Sequence, residues 1–179
     1  MKIVCINGMP MAGKDLFCEY CRKEIDGYSE SFSTIDYVKE LAVKIGWEGR
    51  KTPEDRKFLS DLKDALTNWR DIPYNKVIEA IENWTYPFEQ FEMPLDNVLL
   101  FVHVREPKEI NKFVKRNNAI TLLLRRPEAE RLPTSNHADK EVFNYDYDFE
   151  LWNDGSKEKL RQEARLFLEV IGFKVKEKK

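Results

Sequence analysis

The amino-acid sequence predicts a three-layer α/β domain built around a mostly parallel sheet of five strands. Short apolar runs alternate along the chain with amphipathic stretches, which is the pattern of strands joined by crossover helices. The most apolar run, Asn97–Val104, shows no polar alternation, as expected for a strand that is buried on both faces. In such sheets ligands bind beyond the carboxyl ends of the strands, so residues that follow predicted strands are candidate site residues.

The first four elements each have their own signal. A short apolar strand is predicted at Lys2–Asn7, and a helix is predicted at Lys14–Glu24, where apolar residues repeat on one face. A weaker strand, Ser31–Ile35, precedes a helix that begins at Asp36 and ends at Gly46, because glycine readily terminates a helix.

The middle of the chain adds two long helices, the buried strand already described and a further helix–strand pair. Pro53 lies near the start of the first long helix and Pro73 opens the second, since proline is tolerated in the first helical turn. After the buried strand, a helix is predicted at Glu106–Arg116 and a central strand at Ala119–Leu124.

The last part of the chain begins with a polar, irregular stretch, residues 127–145. A strand at Tyr147–Trp152 and a helix at Ser156–Ile171 complete the alternation, and residues 174–179 are basic and predicted to fray. The whole chain, residues 1–179, is expected to form one domain, because a domain usually has about 100–200 residues.

The composition excludes several classes of protein. The 30 Lys and Arg nearly cancel the 32 Asp and Glu, so a polycation that coats nucleic acid is not expected. The 11 Phe, 7 Tyr and 4 Trp are too many for a disordered chain. Because there is no long apolar span, no signal-peptide pattern and an odd count of 3 Cys, we expect no membrane partner and a cytoplasmic location. The oligomeric state is not predicted.

The sharpest motif is Gly8-Met9-Pro10-Met11-Ala12-Gly13-Lys14-Asp15, between the first strand and the first helix. It fits the phosphate-loop pattern G-x4-G-K and departs at the next position, where Ser or Thr is usual. Backbone N–H groups of such a loop face an anion, and the helix N-terminus adds a positive dipole end. Residues Gly8 to Leu16 are therefore expected to bind ATP, with Lys14 on the β- and γ-phosphates. An ordinary strand–turn–helix with a surface lysine is the alternative.

Asp15 stands where a hydroxyl normally binds Mg²⁺. A carboxylate can hold this cation, directly or through water, because Mg²⁺ prefers hard oxygen ligands. Without the metal the same carboxylate would repel a triphosphate, so Asp15 predicts a strict dependence on Mg²⁺. The alternative is a helix N-terminal Asp that is stabilised only by the helix dipole.

The Gly-Lys-Asp ending of the loop resembles that of the phage-type deoxynucleoside monophosphate kinases and of the phosphomevalonate kinases. Further patches follow in the order found in such kinases: Asp36 and Lys39, Gly46-Trp47-Glu48-Gly49, Val104-Arg105-Glu106, Ser135-Asn136-His137-Ala138-Asp139, Tyr145-Asp146-Tyr147-Asp148 and Asn153-Asp154-Gly155. The resemblance implies a P-loop NTPase fold with a helical acceptor-binding region at about residues 36–95 and a lid at about residues 125–146. The sequence departs from the family at His103, where the phage-type kinases are expected to have Asp.

Local charge supports a site for two phosphates. From Arg105 to Arg131 there are eight Lys and Arg against four Glu, although the whole chain is nearly neutral. Arg105 follows a buried strand and is the candidate for an acceptor phosphate, since a guanidinium matches phosphate bidentately; an ion pair with Glu109 is the alternative. Of Arg125, Arg126 and Arg131, which flank the lid, one is expected to close on the transferred group, unless this segment is a solvated charged loop.

Other residues have two interpretations each. Asp36 either orients an acceptor hydroxyl or base, or serves as a helix N-cap. His103 lies within an apolar strand and is interpreted as structural, while Glu106 is a candidate for a second metal carboxylate. Cys18 and Cys21 lack the partners of a zinc site and are interpreted as core residues.

These residues predict an ATP- and Mg²⁺-dependent kinase of a small phosphorylated acceptor, with a (deoxy)nucleoside monophosphate as the expected acceptor. Two alternatives stay open. One is a P-loop protein that binds nucleotide without turnover, which the missing loop hydroxyl and the missing strand-end Asp favour. The other is a kinase of a non-nucleotide phosphate acceptor. The arginine cluster and the predicted lid favour a kinase.

Overall fold

A computed structural model describes residues 1–50, 52–131, 139 and 141–177. Five strands pair into one sheet: β1 Lys2–Asn7, β2 Tyr28–Ser33, β3 Val98–His103, β4 Ile120–Arg125 and β5 Phe149–Trp152. Their order across the sheet is β2-β3-β1-β4-β5, and all neighbouring strands are parallel. The predicted parallel five-stranded sheet is confirmed.

Helices cover both faces of this sheet. They are α1 Lys14–Glu24, α2 Asp36–Lys44, α3 Pro53–Arg70, α4 Ile72–Gln90, α5 Pro107–Asn117, α6 Pro127–Glu130 and α7 Lys157–Val170. On one face Phe17 of α1 and Phe167 of α7 pack in one cluster with Phe101 of β3. On the other face Ile78 of α4 and Phe113 of α5 share a cluster with Val102. Side chains that alternate along a central strand therefore enter opposite layers, and the three-layer α/β fold is confirmed.

The carboxyl edge of the sheet contains a topological switch point. β1 lies between β3 and β4, so the chain leaves β1 and builds the sheet outward in both directions. At such a point the loops after neighbouring strands diverge and leave a crevice for a ligand. Gly8 follows β1 and Val104 follows β3 at this edge, in agreement with the place expected for a site.

The second strand begins earlier than the sequence predicts. β2 spans Tyr28–Ser33 rather than Ser31–Ile35, and it pairs residue by residue with β3 from Val98 to His103. β2 is an edge strand that contains the polar run Ser29-Glu30-Ser31. Its position is set by backbone pairing with β3, which the local apolar pattern does not report.

Residues 174–176 do not fray, contrary to the prediction for 174–179. The Asp26 N–H donates to the Lys174 carbonyl at 2.9 Å, and the Lys176 N–H donates to the Glu24 carbonyl at 2.7 Å. Between them, Val175 forms an antiparallel bridge with Ile25. The charged residues of this segment gave no sign in the sequence of this backbone pairing, which joins the segment to the end of α1.

The helices α2, α3 and α4 form a helical insertion between β2 and β3. α4 packs on the sheet through residues such as Ile78 and Ile81. α3 lies against α2 and α4 instead, and Lys63 is its one buried residue among those described. Trp69 of α3 is 69% exposed. None of the helices in the described ranges combines the length and the apolar character of a membrane span.

Candidate phosphate-binding site

Two glycines allow the loop after β1 to pack closely against its surroundings. Gly8 has a φ of 147° and Gly13 a φ of 97°, values that side chains disfavour. A Cβ on Gly8 would lie 2.2 Å from the Leu124 carbonyl oxygen, and a Cβ on Gly13 would lie 2.6 Å from Asn153 Nδ2. The two glycines of the sequence motif are therefore required by the contacts of the loop with β4 and with the turn after β5.

The loop itself is curled. The Ala12 N–H donates to the Met9 carbonyl at 3.1 Å, and Met11 has a φ of 66°, in the left-handed region. Met9 is buried and packs in a small apolar cluster with Leu123, whereas Met11 is 74% exposed. The Asn153 side chain donates to the Ala12 carbonyl at 2.9 Å. These contacts fix the curve that an anion-binding loop needs.

Asn7 joins the phosphate loop to the end of β3. Its Oδ1 accepts from the Gly8 N–H at 2.8 Å, while its Nδ2 donates to the Arg105 carbonyl at 3.0 Å and to the Tyr147 hydroxyl at 2.7 Å. The Tyr147 hydroxyl in turn donates to the Val142 carbonyl at 2.7 Å. Asn7 is fully buried, so its hydrogen bonds fix the relative positions of the segments after β1 and β3.

Lys14 lies folded over the loop. Its Nζ donates to the Gly8 carbonyl at 2.7 Å and to the Met9 carbonyl at 3.0 Å. Burial, reinforced by the nearby positive charge of Arg105, lowers the pKa of Lys14 to about 8. The ammonium is thus placed where a bound anion would both pair with it and favour its charged form.

Asp15 and His103 meet next to the loop. The Asp15 side chain is almost fully exposed, and its Oδ1 lies 3.8 Å from Nδ1 of His103. Nε2 of the same imidazole lies 3.8 Å from Cys18 Sγ. Burial lowers the pKa of His103 to about 4, although Asp15 opposes this shift, so the imidazole is neutral at pH 7. His103, interpreted from sequence as structural, lines the site.

Arg105 pairs with a residue of the predicted lid. Its Nη1 donates to Oδ1 of Asp139, which is buried, and 37% of the Arg105 side chain is exposed. The ion pair with Glu109 that the sequence left open does not form, because Glu109 pairs with Lys63. Within the predicted lid, residues 132–138 and 140 lie outside the described residues.

A buried ion-pair cluster joins the helical insertion to α5. Lys63 Nζ lies 2.8 Å from Glu106 Oε1 and 2.7 Å from Glu109 Oε2. Thr34 also donates to Glu109, at 3.4 Å. Burial raises the pKa of Glu109 although Lys63 lowers it, and the two carboxylates raise the pKa of Lys63 although burial opposes them. Glu106, a metal-ligand candidate from the sequence, is instead paired with Lys63 in this cluster.

The three lid arginines have different surroundings. Arg125 forms a two-point pair with Glu130 at 2.8 and 2.7 Å and reaches Glu150 at 3.1 Å. Its guanidinium also lies 4.2 Å from the centre of the Trp152 ring. These contacts hold Arg125 in a structural position, and the paired carboxylates raise its pKa.

Arg126 approaches the phosphate loop. Its Nη1 lies 3.5 Å from the Met11 carbonyl oxygen, and its Nε lies 3.2 Å from Glu128. Arg131 follows α6 and is exposed. Of the three, Arg126 is the one that contacts the loop within the described residues.

Asp36 opens α2 but is not its N-cap, which is Ile35. Its Oδ2 accepts from the Ser33 N–H at 2.9 Å. Desolvation raises the pKa of Asp36, and Asp15 is among the charges that add to this shift.

The donor groups fit a phosphate chain and a divalent cation. A loop with two required glycines, a lysine amine directed at its carbonyls and a helix N-terminus together suit phosphate oxygens. Asp15 offers an exposed carboxylate beside them, which suits a hard cation. The described residues contain no group of three metal-ligating side chains, so any cation here would need ligands from the nucleotide or water.

Sequence reasoning missed three residues of this site. Asn7 ends an apolar strand without a recognisable motif, and Lys63 lies 43 residues from Glu106 along the chain. His103 is interpreted from the sequence as structural, and it departs from the family pattern. Its place at the end of β3, beside the loop, is the signal that identifies it.

No protein-family model matches the chain, and no curated protein matches it. Among solved structures, the tunicamycin resistance protein of Deinococcus radiodurans superimposes with a TM-score of 0.57 at 14% identity over 99% of both chains. A sugar kinase from a Janibacter species gives a TM-score of 0.49 at 12% identity over 95% of both chains. Shikimate kinase from Aquifex aeolicus gives 0.45 at 13% identity, over 96% of this chain and 99% of that one.

At these identities the likeness concerns the fold. The superposition on the tunicamycin resistance protein supports a shared architecture across the whole chain. The five-stranded parallel sheet and the loop between β1 and α1 match the P-loop NTPase fold.

Proposed function

We propose that this protein is an ATP- and Mg²⁺-dependent kinase that transfers the γ-phosphoryl group to a small phosphorylated acceptor, with a (deoxy)nucleoside monophosphate as the first candidate. The observation that carries the proposal is the pair of hydrogen bonds that the Asn7 side chain makes to Gly8 and Arg105. One buried side chain binds both Gly8 of the phosphate loop and Arg105 at the end of β3. The loop for the donor and the backbone of the residue that carries the acceptor cation are thereby held together, which supports the positioning that in-line transfer requires.

On the donor side, Lys14 exchanges the carbonyls of its own loop for the β- and γ-phosphate oxygens of ATP. The loop N–H groups and the start of α1 hold the same oxygens. Asp15 holds the cation that accompanies the nucleotide, and Mg²⁺ when bound neutralises charge on the phosphates. Arg126 closes over the loop from the lid.

On the acceptor side, Arg105 breaks its ion pair with Asp139 and binds the acceptor phosphate. Asp36 orients a hydroxyl or base of the acceptor. An acceptor phosphate oxygen forms a bond to the γ-phosphorus. The bond from that phosphorus to the β,γ-bridging oxygen breaks, and ADP departs with the electron pair. Because the attacking phosphate oxygen is already ionised, no general base is needed.

The regions keep the roles that the resemblance implies. Residues 36–95 form the acceptor-binding region, residues 125–146 form the lid, and residues 1–179 act as one domain. A non-nucleotide acceptor is the second candidate. The likeness in fold to a tunicamycin resistance protein places tunicamycin on the panel of acceptors to be tested.

Nucleotide binding without turnover is the remaining candidate. Two observations favour it: His103 stands at the end of β3 in place of a carboxylate, and Arg105 is already neutralised by the buried Asp139. It predicts ATP affinity with no acceptor-dependent ADP release.

The test is a coupled ADP-release assay with ATP, with Mg²⁺ or Mn²⁺, and with a panel of nucleoside and deoxynucleoside monophosphates plus tunicamycin. We expect turnover with at least one acceptor. Lys14→Ala is expected to weaken ATP binding about 100-fold, since it removes a charge-assisted contact to two phosphates. Lys57→Ala is the matched control, because Lys57 is an exposed lysine paired only with Asp61 in the described structure.

The outcomes separate the candidates. ATP binding without turnover on any acceptor would refute the kinase and leave the binding protein. Unchanged ATP affinity in Lys14→Ala would refute the phosphate loop itself. Arg105→Ala is expected to raise the KM for the acceptor more than the KM for ATP, and the reverse pattern would remove Arg105 from the acceptor site.

A further inference from the structure

A cavity of about 190 Å³ lies beside the phosphate loop, between α1 and the edge strand β2. Its lining includes Asp15, Glu19, Glu30 and Arg22, with His103 next to Asp15. Carboxylates outnumber basic groups among these residues, so the cavity favours a cation. The phosphate loop next to it favours an anion, and the two features share Asp15.

The sheet register fixes His103 at this boundary. His103 is the last residue of β3 and pairs with Ile6 of β1, two residues before Gly8. Its side chain enters the layer of α1, where it reaches Cys18 and Asp15. The imidazole therefore stands at the carboxyl end of the strand next to the loop, directly beside the proposed cation ligand.

The distances are compatible with two ligands of one ion. Asp15 Oδ1 and His103 Nδ1 are 3.8 Å apart, which is too long for a hydrogen bond. Two ligand atoms that are each about 2.1 Å from one divalent ion lie at most about 4.2 Å apart. A tautomer with its proton on Nε2, directed at Cys18 Sγ, leaves the Nδ1 lone pair facing Asp15.

We propose that His103 is a second protein ligand, with Asp15, of the divalent cation that accompanies the nucleotide, and that it makes this site prefer a first-row transition ion such as Mn²⁺ over Mg²⁺. The inference rests on the proposed nucleotide binding. An imidazole nitrogen is a softer ligand than the oxygen ligands that Mg²⁺ prefers. The nucleotide phosphates and water fill the other positions, as is usual for cations that bind with nucleotides.

The direct test is pulsed electron paramagnetic resonance of Mn²⁺ bound to the full chain with ADP. A nitrogen ligand gives ¹⁴N modulation of the electron spin echo. The modulation is expected in the wild-type protein and absent in His103→Asp, which keeps an oxygen ligand in its place. Glu19→Gln is the matched control: Glu19 lines the same cavity without a role as ligand, so the modulation stays.

A second measurement addresses the preference among metals. The dissociation constants of Mn²⁺ and Mg²⁺ are determined on the ADP complex by competition. The preference for Mn²⁺ is expected to fall roughly tenfold or more in His103→Asp, with Mg²⁺ binding retained. In Glu19→Gln the ratio is expected to stay at its wild-type value.

The possible outcomes separate a failure of this inference from a failure of the proposed function. If Mn²⁺ binds with ADP but shows no nitrogen modulation, the role of His103 is wrong while the phosphate loop stands. If the modulation persists in His103→Asp, the nitrogen comes from elsewhere and the assignment is equally wrong. If ADP does not bind at all, both this inference and the proposed function fail.

Discussion

The phosphate loop and helix α3 are built in opposite ways. The loop is held by Asn7, by Asn153 and by two glycines that touch neighbouring backbone or side chains. α3 is twice as long as α2 yet buries one residue, Lys63, among those described. The proposed donor site is therefore formed by the packed core of the fold, whereas α3, in the proposed acceptor region, buries only the charged Lys63, which pairs with Glu106 and Glu109, among the residues described.

The largest expected effect comes from a methyl group placed in the loop. Gly8→Ala brings a Cβ to within 2.2 Å of a backbone oxygen at a φ of 147°, and is expected to lower the free energy of unfolding by more than about 4 kcal/mol. Gly46→Ala, in the helical insertion, has a φ of 103° but no atom within 4 Å of the added Cβ, so about 1–2 kcal/mol is expected. Urea unfolding measures both. Equal losses would mean that the loop is no more constrained than the insertion.

The next effect concerns Lys63 and depends on pH. Lys63→Met leaves Glu106 and the buried Glu109 without their cation, and is expected to cost about 3 kcal/mol at pH 8. Burial raises the folded-state pKa of Glu109 above the usual 4.5, and removing Lys63 raises it further. A carboxyl group whose pKa is higher in the folded than in the unfolded state stabilises the fold at low pH. This stabilisation is lost as the pH rises through the folded-state pKa.

Thermal unfolding from pH 4.5 to pH 8 therefore checks the cluster. The difference between wild type and Lys63→Met is expected to be small near pH 4.5, where Glu109 can take a proton, and to grow toward pH 8. Lys57→Met, an exposed position on the same helix, is expected to stay within about 0.5 kcal/mol of wild type throughout. A difference that does not change with pH would show that Lys63 acts by packing alone.

The smallest effects distinguish two neighbouring arginines. Arg125→Ala loses contacts with Glu130 and Trp152 and is expected to cost about 1–2 kcal/mol of stability. Arg126→Ala is expected to change stability by less than about 0.5 kcal/mol and to slow phosphoryl transfer about 100-fold. Calorimetry and the ADP-release assay measure the two properties. The reverse result would assign the transfer role to Arg125.

The same contrast explains which parts of the structure the sequence predicts. The helix at Lys14–Glu24 has the predicted bounds, because a motif, a glycine and a regular apolar period all act within a few neighbouring residues. β2 is shifted because an edge strand takes its register from β3 rather than from its own residues. Lys63 and Asn7 could not be assigned, since their partners are distant in the chain and no short pattern encodes such a pair.

The antiparallel bridge between Ile25 and Val175 has a practical consequence. In a parallel sheet all strands start at one edge, and Lys2, at the start of β1, bonds to the carbonyl of Ile171 there. A strand of six residues is about 20 Å long, so this edge is about that far from the phosphate loop. A fluorophore or surface tether attached near Lys2 or Val175 would leave both proposed substrate sites facing away from the attachment point, which suits single-molecule and surface-based binding measurements.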